Sequence, residues 1–215
     1  SQLGLYEITK DPNHLKNVRR WAKELLRSQK PAGYWGTGYG AVYFADTGSA
    51  LGLLINYYKY ASEDEKAGIL KALKKYVYLL EKGDGEHSFI HENGALGAGY
   101  HYAKDRQSIS EVFNGDYTIS TSLTGCQIFA GLYYMTGEEK YKKVAMNAAD
   151  WLLGTMADDG AIPYIIDDFN PGRKDKEYLW YRWLYDTSAY VGEGLIAAWT
   201  YIDDVDFRKK KKKRV

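Results

Sequence analysis

The chain has 215 residues, a formal net charge of +1, 45% hydrophobic residues and 27% charged residues. This composition is ordinary for a folded domain and excludes a disordered or fibrous protein. No window approaches the run of about 18 apolar residues that a membrane span needs, and the first residues lack the layout of a secretory signal. We therefore expect a soluble protein without a membrane partner, in a compartment that the sequence does not decide.

The positive charge is concentrated in one unbroken basic run, residues 208–214. Without this run the chain has 22 basic and 28 acidic residues, a net charge of −6. No other basic stripe occurs, so we interpret residues 208–215 as a solvated, disordered tail and do not expect a nucleic-acid partner. Residues 1–207 are expected to form a single domain.

A repeated unit organises the chain. Residues 4–26 align without a gap on residues 131–153, and both segments open with Gly-Leu-Tyr and close with Leu-Leu. A third copy covers residues 52–80 with six extra residues, and a fourth begins at Gly194-Leu195. Each copy reads as the end of one helix, a short polar turn and a second helix. The pattern therefore predicts stacked antiparallel helical hairpins.

The first class of predicted helix covers about residues 13–29, 65–82 and 138–156. Each of these helices follows a turn that combines a hydroxyl with acidic residues, as in the segments 9–12 and 62–65. Such residues satisfy the free N–H groups and the dipole of a helix start. Charged residues then alternate with apolar ones at spacings of three and four, which predicts amphipathic outer helices.

The second class of helix covers about residues 47–61, 119–136 and 187–203, and is rich in Gly, Ala, Leu and Tyr with few charges. Helices that are apolar on most sides are buried, so we expect these to be inner helices. Cys126, the single cysteine, falls in one of them and is expected to be a buried thiol. The predicted fold is an all-α, α/α toroid with an outer and an inner layer.

The predicted ring is incomplete. Residues 2–8 match the end of an inner helix whose beginning is absent, which gives about three hairpins. A closed six-hairpin ring needs about twice this length, and an open apolar edge is unusual in a monomer. We therefore expect either further hairpins that complete the ring or a homodimer that covers the edge.

Long links join outer to inner helices at about residues 30–45, 83–117 and 157–185, so they gather on one face, where binding and chemistry usually lie. An aspartate followed by a hydroxyl residue ends each link: Asp46, Asp116 and Asp186 are spaced 70 residues apart. Each is an ordinary capping sequence, worth about 1 kcal/mol. Three such carboxylates at the same end of inner helices also predict a shared acidic cavity. Within the middle link, residues 91–94 predict a small β-hairpin.

Aromatic and polar side chains gather beside these aspartates. Aromatic rings stack on the C–H faces of sugars, and Asp, Arg and His side chains bond to sugar hydroxyls, so the mixture predicts a carbohydrate cleft. The alternative is that the rings form a small core of the loops. The predicted substrate-binding residues are Trp35, Tyr39, Tyr43, His91, Tyr100, His101, Trp180, Arg182 and Tyr185. The histidine spacing matches no established metal site and no phosphate-binding loop occurs, so we expect no metal and no other cofactor.

With these repeats, the chain resembles the six-hairpin glycosidase-like α/α toroids, which include glycoside hydrolases, unsaturated glucuronyl hydrolases and some polysaccharide lyases. The resemblance lies in Asp186-Thr187-Ser188-Ala189, its echoes at Asp46 and Asp116, and the turn 159–164, and it covers residues 2 to about 204. It implies a central cavity in which Asp46, Asp116 and Asp186 are the catalytic acid and base. It also implies an oligosaccharide or polysaccharide as partner.

Two alternatives remain at this point. The chain is also consistent with a non-catalytic helical repeat domain used for binding or assembly. In addition, the segment from Gln29 to Trp35 resembles a turn of terpene cyclase toroids, although a single copy fits and no Asp-rich motif of that class occurs.

Overall fold

The computed structural model describes residues 1–35, 40–102, 109–156, 162 and 176–203, and at positions 102, 109–111 and 176–188 it describes the backbone alone. The helices are α1 (Gln2–Thr9), α2 (Pro12–Ser28), α3 (Phe44–Tyr57), α4 (Glu63–Lys82), α5 (Thr118–Ser120), α6 (Gln127–Thr136), α7 (Glu139–Thr155) and α8 (Lys176–Tyr201). A 3₁₀ turn (Tyr58–Tyr60) extends α3, and a π-helical segment (Thr121–Cys126) joins α5 to α6. The strands are β1 (Ala41–Tyr43), β2 (Gly99–Tyr102) and β3 (Ile109–Phe113).

The predicted array of outer and inner helices is confirmed. Helices α2, α4 and α7 correspond to the outer helices, whereas α1, α3, α5 with α6, and α8 correspond to the inner ones. Short polar turns start the outer helices as expected. The Asp11 side chain accepts a hydrogen bond from the Asn13 N–H at the start of α2, and Ser62 and Glu65 form a reciprocal capping box at the start of α4.

The inner helices approach one another closely because glycines face the π-helical segment. A Cβ atom at Gly48 of α3 would lie 2.6 Å from the carbonyl oxygen of Leu123. A Cβ atom at Gly194 of α8 would lie 2.6 Å from the carbonyl carbon of Ser122. The π-helical segment is therefore packed between α3 and α8 at backbone contact distance, which a larger residue at either glycine would prevent.

Buried hydroxyl groups also join these inner helices. The Thr124 Oγ1 donates a hydrogen bond to the Phe44 carbonyl oxygen at 2.7 Å, and the Ser122 Oγ donates to the Tyr190 carbonyl oxygen at 2.8 Å. Both hydroxyl side chains are buried. A buried polar group costs free energy unless it is hydrogen-bonded, so these residues fix the relative position of the three inner elements.

The hydrophobic core lies between the two layers. It includes Leu73 and Leu80 of α4, Phe129 of α6 and Leu152 of α7, which are all fully buried. Cys126 is fully buried in the same core, as predicted. None of the described helices is both long and apolar enough to cross a membrane.

A small antiparallel sheet, in the order β1-β2-β3, lies on the long-link face. The sequence did not predict this sheet. The predicted hairpin at residues 91–94 is instead a tight turn closed by a single bridge between Ile90 and Leu96. Strand β1 continues directly into α3, and β3 leads through residues 114–117 into α5. The sheet therefore connects the starts of two neighbouring inner helices.

The predicted start of the last inner helix was wrong. Helix α8 begins at Lys176 and not at residue 187, so Asp186 lies inside the helix and not at its start. Residues 176–186 contain no glycine or proline that would end a helix, and the local Asp-Thr pair did not mark the boundary. Trp180, Arg182 and Tyr185, predicted to lie in a loop, belong to this helix as well. Tyr39, the turn 159–164 apart from Ile162, and the basic run lie outside the described residues.

Candidate functional site

Asp46 lies in the first turn of α3, three residues after the end of β1. The cap position of this helix is occupied by Tyr43, so Asp46 is not the capping residue. Its side chain is exposed, and among the residues that the structure describes no hydrogen bond or ion pair engages its carboxylate. A negative charge in this position is stabilised by the helix dipole while remaining available to a ligand.

Asp116 has a different environment. Tyr117 occupies the cap position of α5, so the capping interpretation is wrong for Asp116 too. The Asp116 Oδ1 lies 2.7 Å from the His91 Nδ1, and its Oδ2 accepts a hydrogen bond of 2.8 Å from the Asn93 side-chain amide. The Asp116 and His91 side chains are 23% and 18% exposed, so solvent reaches both while the protein fixes them. On its other side the His91 Nε2 lies 2.9 Å from the Asn114 Oδ1.

The loop that carries His91 is held at both ends. At its start, the backbone N–H groups of His87 and Glu86 donate hydrogen bonds to the Asp84 carboxylate at 2.7 and 2.8 Å. These bonds hold the pKa of Asp84 below its usual value. Further along, Gly94 has φ = 98° and lies against the Asn147 carbonyl, where a Cβ atom would be only 2.6 Å from the oxygen. The loop therefore holds His91 beside the Asp116 carboxylate.

The outward face of the sheet carries a row of rings. Tyr43 and Phe113 both lie opposite Gly99, and His101 lies diagonally between them. The Tyr43 hydroxyl is 3.2 Å from the His101 Nε2, and the His101 and Phe113 ring centroids are 4.8 Å apart. Tyr43 is 40% exposed, and Gly99 leaves no side chain between the two outer rings. Two predicted site residues, Tyr43 and His101, are thus brought together, and Phe113 is added to them.

Tyr100 points the other way and was wrongly predicted to bind substrate. Successive strand residues face opposite sides of a sheet, so Tyr100 lies on the inner face when His101 lies on the outer one. Its ring is fully buried, stacks on Phe89 with a centroid separation of 5.7 Å and contacts Phe44 edge to face at 6.0 Å. Tyr100 therefore belongs to the core. This agrees with the alternative interpretation of the loop aromatic residues, in which their rings form a core.

Trp35 is half-buried, and the N–H group of its indole ring is hydrogen-bonded within the protein. Its indole Nε1 donates a hydrogen bond of 2.7 Å to the Leu25 carbonyl. The preceding Gln29 side chain donates to the Gly33 and Ala72 carbonyl oxygens, each at 2.9 Å, and so ties the first link to α4. The turn that resembles terpene cyclase toroids therefore has a structural role in this protein. The predicted role of Trp35 in sugar binding stays a prediction.

The structure also adds residues that the sequence reasoning missed. Asn93 and Asn114 contact the Asp116–His91 pair, and Phe113 completes the ring row. Within the described ranges, no three His, Cys, Asp or Glu side chains converge on a point where a metal ion would bind. The side chains of Asp186, Trp180, Arg182 and Tyr185 are not described, and the roles assigned to them stay predictions.

Alternating outer and inner helices, with the long links on one face, define a partial α/α toroid. Solved structures of this fold confirm the assignment. The chain is similar to the unsaturated glucuronyl hydrolase of Bacillus sp. GL1, described as responsible for the degradation of glycosaminoglycan, with a TM-score of 0.70 and 14% identity over 100% of this chain and 57% of that one. An unsaturated glucuronyl hydrolase specific for heparin gives a TM-score of 0.67 and 18% identity, with the same coverage of both chains.

A family 76 glycoside hydrolase from a bovine Bacteroides thetaiotaomicron strain is similar as well, with a TM-score of 0.59 and 12% identity over 97% of this chain and 42% of that one. The chain spans 57% of the length of the glucuronyl hydrolases. No family model and no curated protein sequence matches it. At these identities the similarity establishes the fold.

Proposed function

We propose that the chain carries a glycoside hydrolase site that binds an oligosaccharide on the outward face of the small sheet. The observation that supports this most strongly is that the ring row Tyr43–His101–Phe113 lies on a sheet whose outer strands each lead to one of the aspartates. Asp46 follows Tyr43 by three residues, and Asp116 follows Phe113 by three residues. The toroid relatives named above act on carbohydrates, which agrees with this proposal.

The ring row has the chemistry of a sugar platform. An exposed tyrosine ring and a phenylalanine ring offer flat apolar surfaces to the C–H faces of a pyranose. The Tyr43 hydroxyl and the His101 ring nitrogens add hydrogen-bonding groups at the same surface. Ligand-binding sites in general combine apolar contact with a few polar groups that fix the orientation of the ligand.

The two aspartates have environments that suit different roles. Glycosidases use one carboxyl group as acid and another as base or nucleophile, and their environments differ accordingly. Asp46, exposed and unengaged by the described residues, is the proposed base, and Asp116, held by His91 and Asn93, is the proposed acid.

The proposal is tested by incubating the chain with a panel of oligosaccharides that includes unsaturated glucuronyl disaccharides. Release of reducing ends and loss of the ultraviolet absorbance of the unsaturated sugar report hydrolysis, whereas new unsaturated ends report a lyase. Asp46→Asn and Asp116→Asn should each lower the rate by about 10²-fold or more. The control Asp64→Asn, in the first turn of α4, should retain activity. Equal activity of all variants, or no product from the folded chain, would contradict the proposal.

A second candidate function, assembly without catalysis, rests on a separate observation. The first and last inner helices expose apolar side chains: Leu5 and Ile8 on α1, and Ile196 and Trp199 on α8. These helices form the two edges of the incomplete ring, and exposed apolar patches often mark interfaces. Light scattering tests whether two copies pair through these edges. Ile8→Glu and Ile196→Glu should then yield monomers, and a wild-type chain that is monomeric at high concentration would exclude the pairing.

A further inference from the structure

We propose that His91 is a positioning residue, which fixes the Asp116 carboxyl group and keeps one proton in the contact between them. This inference rests on the proposed function, in which Asp116 is the acid. It concerns the hydrogen-bond order of one cluster, Ser88–Asn114–His91–Asp116–Asn93. Within this cluster, the neighbours of each side chain determine whether it donates or accepts each hydrogen bond.

The side chain of Asn114 determines the direction of the first hydrogen bond in this cluster. Its side-chain amide nitrogen donates to the Ser88 carbonyl oxygen at 3.3 Å, so its oxygen faces the His91 Nε2 at 2.9 Å. An amide oxygen only accepts hydrogen bonds. The His91 Nε2 therefore carries a proton, which fixes one of the two ring nitrogens as a donor.

The other ring nitrogen, Nδ1, lies 2.7 Å from the Asp116 Oδ1. Two lone pairs cannot face each other at this distance, so a proton lies in the contact. The pair is then either an imidazolium with a carboxylate or a neutral imidazole with a carboxylic acid. Both forms have zero net charge and hold one proton more than a neutral histidine beside a bare carboxylate.

Asn93 fixes the second oxygen of the carboxyl group. The Ala95 N–H donates to the Asn93 Oδ1 at 2.9 Å, which turns the Asn93 amide nitrogen toward the Asp116 Oδ2 at 2.8 Å. Both oxygens of Asp116 are thus engaged from one loop. A carboxyl group held at both oxygens loses little orientational freedom when a ligand binds, which is the benefit of preorganisation at a catalytic site.

The stored proton suits the first step of glycoside cleavage. The glycosidic oxygen takes the proton as its bond to the sugar carbon breaks, and it keeps the bonding electron pair. Asp116 is left as a carboxylate beside a neutral His91, and the repulsion between their lone pairs moves the two groups apart until the pair takes up a proton again. Water adds to the sugar carbon and gives its proton to Asp46. Water is thereby added across the glycosidic bond, and one proton has moved from the Asp116–His91 pair to Asp46. Loss of this proton from Asp46 to solvent and uptake of one by the Asp116–His91 pair restore the starting state.

His87 provides a matched control in the same loop. Its side chain is 70% exposed, and its Nδ1 is 3.8 Å from the Asp84 carboxylate, beyond hydrogen-bond distance. His87→Gln therefore changes the same residue type without touching the cluster. His91→Gln removes the ring while keeping a side-chain amide, and Asn93→Ala removes the second contact to Asp116.

The first measurement needs no substrate. Long-range ¹⁵N–¹H spectra of the intact chain should show His91 protonated at Nε2. A proton spectrum should show a downfield, slowly exchanging signal from the proton between Nδ1 and Asp116, and this signal should disappear in Asp116→Asn. His87 should show neither feature. An unprotonated Nε2 on His91, or a His91 spectrum unchanged in Asp116→Asn, would overturn the inference.

The second measurement uses the substrate found in the oligosaccharide panel. His91→Gln and Asn93→Ala should lower kcat by about tenfold or more with KM within about twofold, since they affect a proton donor and not the sugar platform. His87→Gln should match the wild type. Unchanged kcat in a folded His91→Gln variant would overturn the positioning role. A wild-type chain without activity would remove the donor role together with the proposed function, while the spectra still decide the hydrogen-bond order.

Discussion

Tyr43 and Phe113 lie on opposite sides of the same residue, Gly99, across the three strands of the sheet. A Cβ atom at Gly99 would overlap the Val42 carbonyl oxygen, so the close pairing of β1 and β2 depends on this glycine. The strands that carry Tyr43 and Phe113 each lead into an inner helix. The starts of two inner helices, α3 and α5, are therefore joined by one sheet with a common outward surface.

The two faces of the sheet should respond differently to mutation. Tyr43→Ala removes an exposed ring, so its free energy of unfolding should change by at most about 0.5 kcal/mol while oligosaccharide binding weakens. Tyr100→Ala removes a fully buried ring and should cost about 3–5 kcal/mol of stability. Chemical denaturation and titration calorimetry separate the two effects. A large stability loss in Tyr43→Ala, or a small one in Tyr100→Ala, would reverse our assignment of the faces.

Glycine packing in the inner layer makes a second prediction. Gly194→Ala should destabilise the chain by about 1–3 kcal/mol, since the new methyl group would meet the backbone of Ser122. Gly192 lies in the same helix with no atom within 4 Å of its would-be Cβ. Gly192→Ala should therefore be neutral or stabilise by up to about 1 kcal/mol. Equal effects of the two substitutions in thermal or chemical unfolding would contradict the packing of α8 on the π-helical segment.

The turn at Asp84 predicts a pH dependence of stability. Hydrogen bonds from the backbone N–H groups of His87 and Glu86 lower the pKa of Asp84 in the folded chain. A lowered pKa stabilises the fold above the unfolded-state pKa, and this contribution is lost as pH falls through the folded-state pKa. Asp84→Asn keeps an acceptor oxygen but not the charge.

The difference in unfolding free energy between wild type and Asp84→Asn should thus be largest near neutral pH and disappear in acid. Asp84→Ala also removes the acceptor, so it should lose about 1–3 kcal/mol at neutral pH and retain part of that loss in acid. Urea unfolding curves recorded across the acidic range provide the measurement. A difference between wild type and Asp84→Asn that does not vary with pH would show that the charge of Asp84 has no role in the turn.

The parts of the fold set by neighbouring residues could be read from the sequence. The start of α4 was predicted within two residues because Ser62 and Glu65 form a local capping box. The Gly- and Ala-rich inner helices were recognised by composition, whereas the close contact of Gly48 and Gly194 with the π-helical segment was seen first in the structure. The start of α8 was missed because the Asp186-Thr187 pair imitates a helix start, although helix-forming residues continue upstream to Lys176.

The parts that depend on distant pairing could not be read in the same way. Ala41 pairs with His101, some sixty positions further along the chain, and three strand residues carry too little pattern to predict a sheet. Because strand β2 was not predicted, no pattern in the sequence distinguished the inward-facing Tyr100 from the outward-facing His101. Asp46 and Asp116 were singled out from the sequence, and their catalytic role stays a prediction. The engagement of Asp116 by His91 could not be predicted because it depends on a loop contact over 25 positions.

The most direct test of the site maps oligosaccharide binding by NMR on the Asp46→Asn variant, whose slow turnover preserves the ligand. We predict that the backbone amide signals of Tyr43, His101 and Phe113 shift in a saturable way with ligand concentration. A separate groove is lined by residues of α1, α2, α3 and α8, which include Trp21 and Glu193, and its signals should stay unaffected. Shifts confined to that groove, with none on the outward face of the sheet, would contradict the proposed carbohydrate site.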